Sequence, residues 1–437
     1  MNATGREMTV RQAAFIGVGA MVGAGIFALL GPAGGIAGAA VWVSFLLAGV
    51  VAALQGYSFG KMGAHYPSGS GLIEYVAQGF GDGHFTGITA WLAFMSQCII
   101  SAMVAVSFGG YTSSLLTDDD ATWAKIFTVL LLLAMATLNT LGSEAVSKAQ
   151  AVIVRVVLAI LVVFSLVTVL TADWTLLAPS GYPTLRQISS SVALTFFAFL
   201  GFGVITFTAK DLPNPTRQLP RAIYLAIGIA TVVYVAISIG VYGTLAVPEV
   251  IAAGDTAVAE AAKPTLGDLG YTLMAITAMF STAGATNSSL YPAAGLSKDL
   301  AAKGQFPPVL GRDLAGRIPV GLLVMVSATT LMALFLDLTA IASIGSAVAL
   351  TLFTLVTISH VRVRRVTQAN ILVLLVALLL TLATLFSFAT TTLVEEPATM
   401  YTLLALLVLA VVLDIVWKRI RSGRPTDTSA SVTGTGV

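Results

Sequence analysis

Two short stretches hold the residues best suited to chemistry, Val22-Gly23-Ala24-Gly25-Ile26-Phe27 and Gly201-Phe202-Gly203-Val204-Ile205-Thr206. Each sets a glycine pair inside an apolar segment long enough to cross a membrane. An unwound turn at that depth bares N–H and C=O groups, each costly in hydrocarbon, so it persists only where it lines a polar cavity. The chemistry to expect is therefore binding by backbone dipoles. A half-helix that starts after Gly25 aims its positive end at the break and suits a carboxylate. Free carbonyls at Met21 and from Phe197 to Leu200 suit an ammonium group. A small zwitterion meets both demands. Close helix packing through small residues is the competing account of the same glycines.

Other reactive groups are sparse. His65, His84 and His360 stand far apart and near predicted helix ends, which argues for loop roles and against a metal cluster or a resident cofactor. The single cysteine, Cys98, excludes an internal disulfide. No Ser/His or paired-Asp constellation falls at membrane depth, so an intramembrane hydrolase is not expected, and no repeated filter element suggests a channel. One charge stands apart. Arg155 lies twelve residues past Ser143, about 18 Å along a helix and close to the middle of a hydrocarbon layer about 30 Å thick. A cation there costs roughly 2.5–3.5 kcal/mol, so it should meet protein, water or a counter-charge, or else snorkel to the interface. As an arginine it keeps its proton and acts as a fixed cation.

The elements that position these residues follow from composition. Of 437 residues, 57% are hydrophobic and 10% charged, against about a quarter charged in a soluble globule. The chain is expected to be an all-α integral membrane protein with lipid around it and no nucleic-acid partner. Twelve apolar segments are predicted near 12–37, 39–62, 85–116, 123–141, 145–170, 188–208, 222–247, 269–296, 320–336, 338–361, 371–388 and 399–417. Of the 22 basic residues, eighteen fall on one side of this arrangement and three, Lys125, Arg186 and Lys263, on the other. That bias predicts a multi-pass protein of the cell membrane with both termini cytoplasmic. The expected division is 1–11 as a cytoplasmic segment, 12–170 as a first set of five helices, and 171–187 as an extracellular loop. A second, inverted set at 188–361 follows, then two further helices at 370–417 and a disordered cytoplasmic tail at 418–437. Glycine-interrupted segments at matching places in two inverted halves point to a transporter's substrate site.

Further motifs sharpen this. Tyr66-Pro67-Ser68-Gly69-Ser70-Gly71 follows the second segment, Asn214-Pro215-Thr216-Arg217-Gln218-Leu219-Pro220-Arg221 the sixth, and Gly304-Gln305-Phe306-Pro307 the eighth. With the two glycine stretches, Phe280-Ser281-Thr282 and Asn287, they make the chain resemble the amino acid–polyamine–organocation permeases. Within that group it is most similar to the bacterial proton-coupled broad-specificity amino-acid transporters. The resemblance implies a LeuT-like 5+5 inverted repeat with helices 1 and 6 broken, plus two C-terminal helices. It implies that the amides around Gly23, Ala24, Gly25 and Ile26 hold a substrate carboxylate. The carbonyls of Met21, Phe197, Ala198 and Leu200, beside Gly201, would hold its amino group, with Phe197 as gate and Phe202 as a second gate candidate.

It also implies an ion site near Ser281 and Thr282. Proton-coupled relatives carry a lysine in the fifth helix, and alignment from Ser147-Lys148-Ala149 puts that position at Val157. Arg155 is two residues away, about 200° around a helix. The function expected is proton-coupled uptake of an amino acid by alternating access; exchange or facilitated movement, with Arg155 as a fixed cation, is the alternative. An ion channel or a non-transporting receptor is less favoured. The small apolar residues Ala24, Ala198 and Leu200 lean toward a neutral substrate. Oligomeric state is silent in the sequence.

Overall fold

A computed structural model describes residues 8–68, 70–141, 144–314 and 316–422. These residues are almost wholly helical. The order is α1 (Val10–Ala37), α2 (Val41–His65), α3 (Leu72–Phe80), α4 (His84–Leu116), α5 (Ala121–Leu141), α6 (Glu144–Leu170) and α7 (Leu185–Phe196). A 3₁₀ segment, Phe197–Asp211, continues α7 and leads to α8 (Pro215–Tyr242), α9 (Val247–Ala253), α10 (Ala257–Glu260) and α11 (Lys263–Ala302). A two-residue hairpin of β1 (Asp313–Leu314) and β2 (Ile318–Pro319) precedes α12 (Val320–Phe335), α13 (Leu338–Val363), α14 (Ile371–Thr390), α15 (Thr392–Glu395) and α16 (Pro397–Ser422).

Among the described residues, nine helical stretches are long and apolar enough to cross a membrane. Gly25–His65 counts as one of them, because the 3₁₀ turn Gly38–Ala40 joins α1 to α2. At 16 residues α12 is short for a span. Exposed Leu133, Val163, Leu379 and Val408 on α5, α6, α14 and α16 give the bundle an apolar outer surface suited to lipid.

Three expectations need correction. α1 does not break at Gly23-Ala24-Gly25: it winds as one α-helix from Val10 to Ala37. Its glycines are contact points, and the packing they allow offsets their weak helix propensity. The sixth segment does change at its middle, yet it tightens into a 3₁₀ winding of 15 residues and does not unravel. Lastly, α16 runs to Ser422, past the expected tail boundary, because the apolar face that packs Leu403, Ala410 and Trp417 continues into basic residues at its end. Residues 1–7 and 423–437 of the expected terminal segments lie outside the described residues.

α1 is the axis of the bundle. It packs against the 3₁₀ segment, α8 and α11, while α2 lies on α7 and α8 and α4 lies on α11 and α13. The ends of the bundle differ in charge. At the basic end, Lys303 bonds Glu74 at 2.9 Å, Lys418 Nζ donates to the Gly83 carbonyl at 2.7 Å, and Arg421 donates to the Gly304 carbonyl at 3.0 Å. The acidic end brings together the α4–α5 turn and the α9–α10 region, where Asp255 sits on Gly110.

Candidate functional site

The two glycine stretches do meet. A methyl group placed on Gly25 would lie 2.8 Å from Ala198 Cα, and one placed on Gly201 would lie 2.5 Å from the Met21 nitrogen. Only residues without a Cβ let the backbones of α1 and the 3₁₀ segment approach this closely. Gly23 makes the same kind of approach to α11, where an added methyl would lie 2.5 Å from the Ser281 carbonyl oxygen. Met21 and Ile26 are fully buried at this crossing. The Ala198 carbonyl is already engaged, since the Tyr234 hydroxyl donates to it at 3.1 Å. The structure therefore joins Met21, Gly23, Gly25, Ile26, Ala198 and Gly201 in one tightly packed crossing. Ala24 belongs to it by backbone position; its side chain lies outside the described residues.

Open space lies on the basic side of that crossing. A cavity of about 80 Å³ is bounded by Leu200, Gly203 and Thr206 of the 3₁₀ segment and by Ser96 and Gln97 of α4. Phe59, Phe207 and Phe353 wall it, and Ser70 stands at its mouth. The 3₁₀ winding explains this division. Residues three apart eclipse one another, so Phe199, Phe202 and Ile205 form one fully buried ridge. Ala198 and Gly201 face α1 on a second ridge that reaches the cavity further on at Val204 and Phe207, beside a third ridge of Leu200, Gly203 and Thr206.

Phe197 sits at the junction of α7 and the 3₁₀ segment, with its ring on α13: a methyl on Gly345 would lie 2.8 Å from Phe197 Cδ2. Phe202 is packed edge-on against Phe59 with centroids 5.2 Å apart and is tilted against Phe353 at 5.6 Å. It therefore backs the cavity wall without lining it.

The expected ion site is a second, smaller space. About 10 Å³, room for one water at most, is enclosed by Val18 and Val22 of α1, Val154 and Val157 of α6, and Ser281 of α11. Val157 is 4% exposed. Arg155 lies on the exposed face of α6 and is not part of this enclosure, as the angular offset of two residues requires. The expectation that Arg155 supplies a cation beside Ser281 and Thr282 is thus corrected. The Thr282 hydroxyl donates to the Ala278 carbonyl at 2.7 Å, within its own helix.

A charged cluster closes the basic mouth of the larger cavity. Lys303 Nζ donates to Ser70 Oγ at 2.7 Å and to Glu74 at 2.9 Å, lies 3.5 Å from Asp299, and Ser70 also bonds Asp299. Burial opposes ionisation of Glu74, but hydrogen bonds from Lys303 and Gln78 and the Lys303 charge outweigh it and hold the carboxyl below the usual range. Sequence reasoning did not reach Ser96, Gln97, Tyr234 or this cluster; the adjacent polar pair Ser96-Gln97 inside an apolar segment was the available signal for the cavity. His360, expected in a loop, is fully buried in α13 between Ser58 at 3.0 Å and Thr367 at 2.9 Å. Among the described residues no group of His, Cys, Asp and Glu could hold a metal ion.

Residues 8–426 match the family described as amino acid permease. The chain belongs to that family. The inner membrane transport protein YbaT of Escherichia coli is 32% identical to this permease over 337 residues, covering 77% of this chain and 78% of that protein. The branched-chain amino acid permease BcaP of Bacillus subtilis is 24% identical over 253 residues, 53% of this chain and 54% of its own length. A methylthioribose transporter of the same species is 24% identical over 259 residues, 55% of each chain.

Proposed function

We propose that this permease is a secondary transporter that moves a neutral amino acid across the cell membrane by alternating access. Its basic end, with both termini, faces the cytoplasm. The twelve helices α1, α2, α4, α5, α6, α7 with its 3₁₀ continuation, α8, α11, α12, α13, α14 and α16 each cross, as two inverted sets of five and a final pair. The observation that carries this reading is the backbone crossing of α1 and the 3₁₀ segment at Gly25–Ala198 and Met21–Gly201, with a cavity opening directly beside it at Leu200. In this reading the substrate's charged groups engage the crossing once the backbones part, and the cavity is its path to the cytoplasm. Phe197, at the start of the 3₁₀ segment with its ring against α13, gates the passage. Relatives named for a branched-chain amino acid and for methylthioribose support a small organic solute as cargo.

Two couplings were expected, proton symport and exchange or facilitated movement. The second is favoured here by Val157, which stands at the small space beside Ser281 where a titrating lysine would act. Ser281 then serves packing of α11 on α1 and no ion. Counterflow into proteoliposomes tests the proposal: saturable uptake of labelled amino acid driven by unlabelled amino acid inside, and surviving collapse of the pH gradient, is the expected result. Uptake that requires the gradient would return proton symport to first place, and non-saturating conductance would replace the carrier by a channel.

A further inference from the structure

The larger cavity holds two polar groups that nothing described satisfies. Ser96 is 7% exposed and lines the cavity, and its neighbour Gln97 lines it too. Among the described residues neither side chain has a hydrogen-bond partner. Other groups of their helix divide: Thr89 and Thr112 donate to the carbonyls one turn back, both at 2.7 Å, and Ser101 bonds Ser289 at 2.7 Å, whereas Trp91 Nε1 and Ser107 Oγ are buried in packed surroundings without a partner among the described residues; Ser96 and Gln97 differ from these two in facing open space. The other polar residues of the cavity are also engaged, Thr206 with the Gly203 carbonyl at 2.6 Å and Ser70 with Lys303 at 2.7 Å. The half-buried Gln97 carboxamide and the Ser96 hydroxyl both reach the open space of a largely apolar cavity, where a ligand that brings its own donor and acceptor can pair with them in place of water. The cavity has no charged side chain in its lining. The charges at its mouth, Lys303, Glu74 and Asp299, are paired with one another, so an ionised tail would find no free counter-charge, whereas a neutral donor–acceptor tail would find partners in Ser96 and Gln97.

We infer that Ser96 and Gln97 are the specificity-determining residues of this permease and that its preferred cargo is an amino acid with a short, uncharged side chain ending in a hydroxyl or carboxamide. The inference rests on the transport reading. It adds the side-chain chemistry of the substrate, which backbone recognition at the crossing cannot distinguish. A site built to hydrogen-bond a polar tail rejects the isostere that lacks it, because its own buried groups are then left unpaired. Threonine should therefore outcompete valine, and asparagine should outcompete leucine.

The test is competition in the counterflow assay with the full chain, using threonine against valine and asparagine against leucine as near-isosteric pairs, with thermal stabilisation of purified protein by the same four amino acids as a second readout. Wild type should prefer the polar member of each pair by about tenfold or more. Gln97→Leu should erase or invert that preference while valine and leucine keep their affinity, Ser96→Ala should weaken it by a smaller factor, and Gln97→Asn should retain part of it. Equal preference in wild type, or a polar-to-apolar ratio unchanged in Gln97→Leu, overturns the inference. So does a parallel loss of all four ligands in both Gln97→Leu and Gln97→Asn, which would make Gln97 structural. Selective thermal stabilisation by threonine and asparagine with no counterflow would retain the specificity pair and discard transport.

Discussion

α1 and the sixth segment carry the same sequence device, a glycine pair amid apolar residues, yet they fold differently. α1 is one α-helix through Gly23 and Gly25, and the sixth segment switches to a 3₁₀ winding at Phe197. Each of α1's central glycines faces another element at contact distance, so its sequence is spent on letting backbones touch. In the sixth segment Gly201 does the same, but Gly203 has only Phe59 within reach, at 3.8 Å, and opens onto the cavity. The 15 residues of 3₁₀ cover about 30 Å where an α-helix would cover about 22 Å, and they set Phe199 and Phe202 on one ridge while Phe197 packs against α13. Glycine in a membrane helix thus marks where something comes near. Whether the chain also rewinds depends on what the intervening residues pack against.

The two glycine pairs differ most in what an added side chain would meet. Gly25→Leu should abolish uptake, a loss beyond about a hundredfold, because the side chain must displace Ala198 and Tyr234, and overpacking of this kind also costs stability. Gly203→Ala should leave the folded protein intact and slow uptake only a few-fold by narrowing the cavity. Counterflow rates and melting temperatures of both variants check this. Retained uptake in Gly25→Leu would remove the crossing from the substrate path.

The next largest effect concerns the two enclosed spaces, the small one along α1 and the larger one along the 3₁₀ segment. Val157→Lys puts an ammonium group into an apolar enclosure beside Ser281, at a cost of roughly 2.5–3.5 kcal/mol on insertion scales. Uptake should fall about tenfold and come to depend on the pH gradient, because an ammonium group, unlike valine or arginine, can release and rebind a proton. Arg155→Gln, on the exposed face of the same helix, should change uptake less than about twofold. If Arg155→Gln instead abolished transport, the facing of α6 in the working cycle would differ from the one described.

These contrasts show what the sequence could and could not disclose. Eleven of the predicted segments each fall on one α-helix and the sixth on α7 with its 3₁₀ continuation, since long apolar runs need no tertiary information. The opposite facing of Arg155 and Val157 was legible from helical geometry alone. The uninterrupted winding of α1 was not, because what holds Gly23 and Gly25 in place is Ser281 and Ala198, far away in the chain. The cavity was hidden for the same reason: α2, α4, the 3₁₀ segment and α13 each supply a part of its wall. His360 reads as an interfacial histidine in sequence, and only its bonds to Ser58 and Thr367 make it a buried clamp.

At the basic end of the 3₁₀ segment, Lys303 ties the loop before α3 to the end of α11. Partly exposed pairs of this kind are worth at most about 1 kcal/mol, so Lys303→Ala should open the mouth about fivefold more often. The measure is the maleimide labelling rate of Ser96→Cys in a Cys98→Ala background. The depressed Glu74 carboxyl stabilises the closed mouth at neutral pH, and that contribution is lost as pH falls through the carboxylate range. A labelling rate indifferent to Lys303→Ala would show that the mouth is held by packing alone.

The smallest effect is expected at the acidic end, where α1 meets a lid formed by the turn after α9. The turn Gly254–Thr256 packs on Gly31, where an added methyl would lie 2.6 Å from the Gly254 oxygen, and Asp255 rests its carboxyl on Gly110. Burial pushes that carboxyl up to about 7; its own and the Thr256 backbone N–H groups act against this, and the charge of Asp119 adds to it. Tyr111, Tyr271, Glu260 and Lys263 complete the titratable surroundings. A raised carboxyl binds its proton more tightly when docked than when released, so docking is firmest below the ordinary carboxylate range and weakens as pH rises through about 7. A lid that must lift for substrate to reach α1 then lifts more readily at alkaline pH. With equal pH on both membrane faces, counterflow should rise about threefold from about pH 6 to about pH 8, and Asp255→Asn should stay at the low-pH rate throughout, because an amide keeps the neutral form of the group. An unchanged slope in Asp255→Asn would move the titration to a neighbouring carboxyl, with Asp119 of the α4–α5 turn the next variant to make, while the keyed contact between Gly31 and Gly254 would still hold the lid in place.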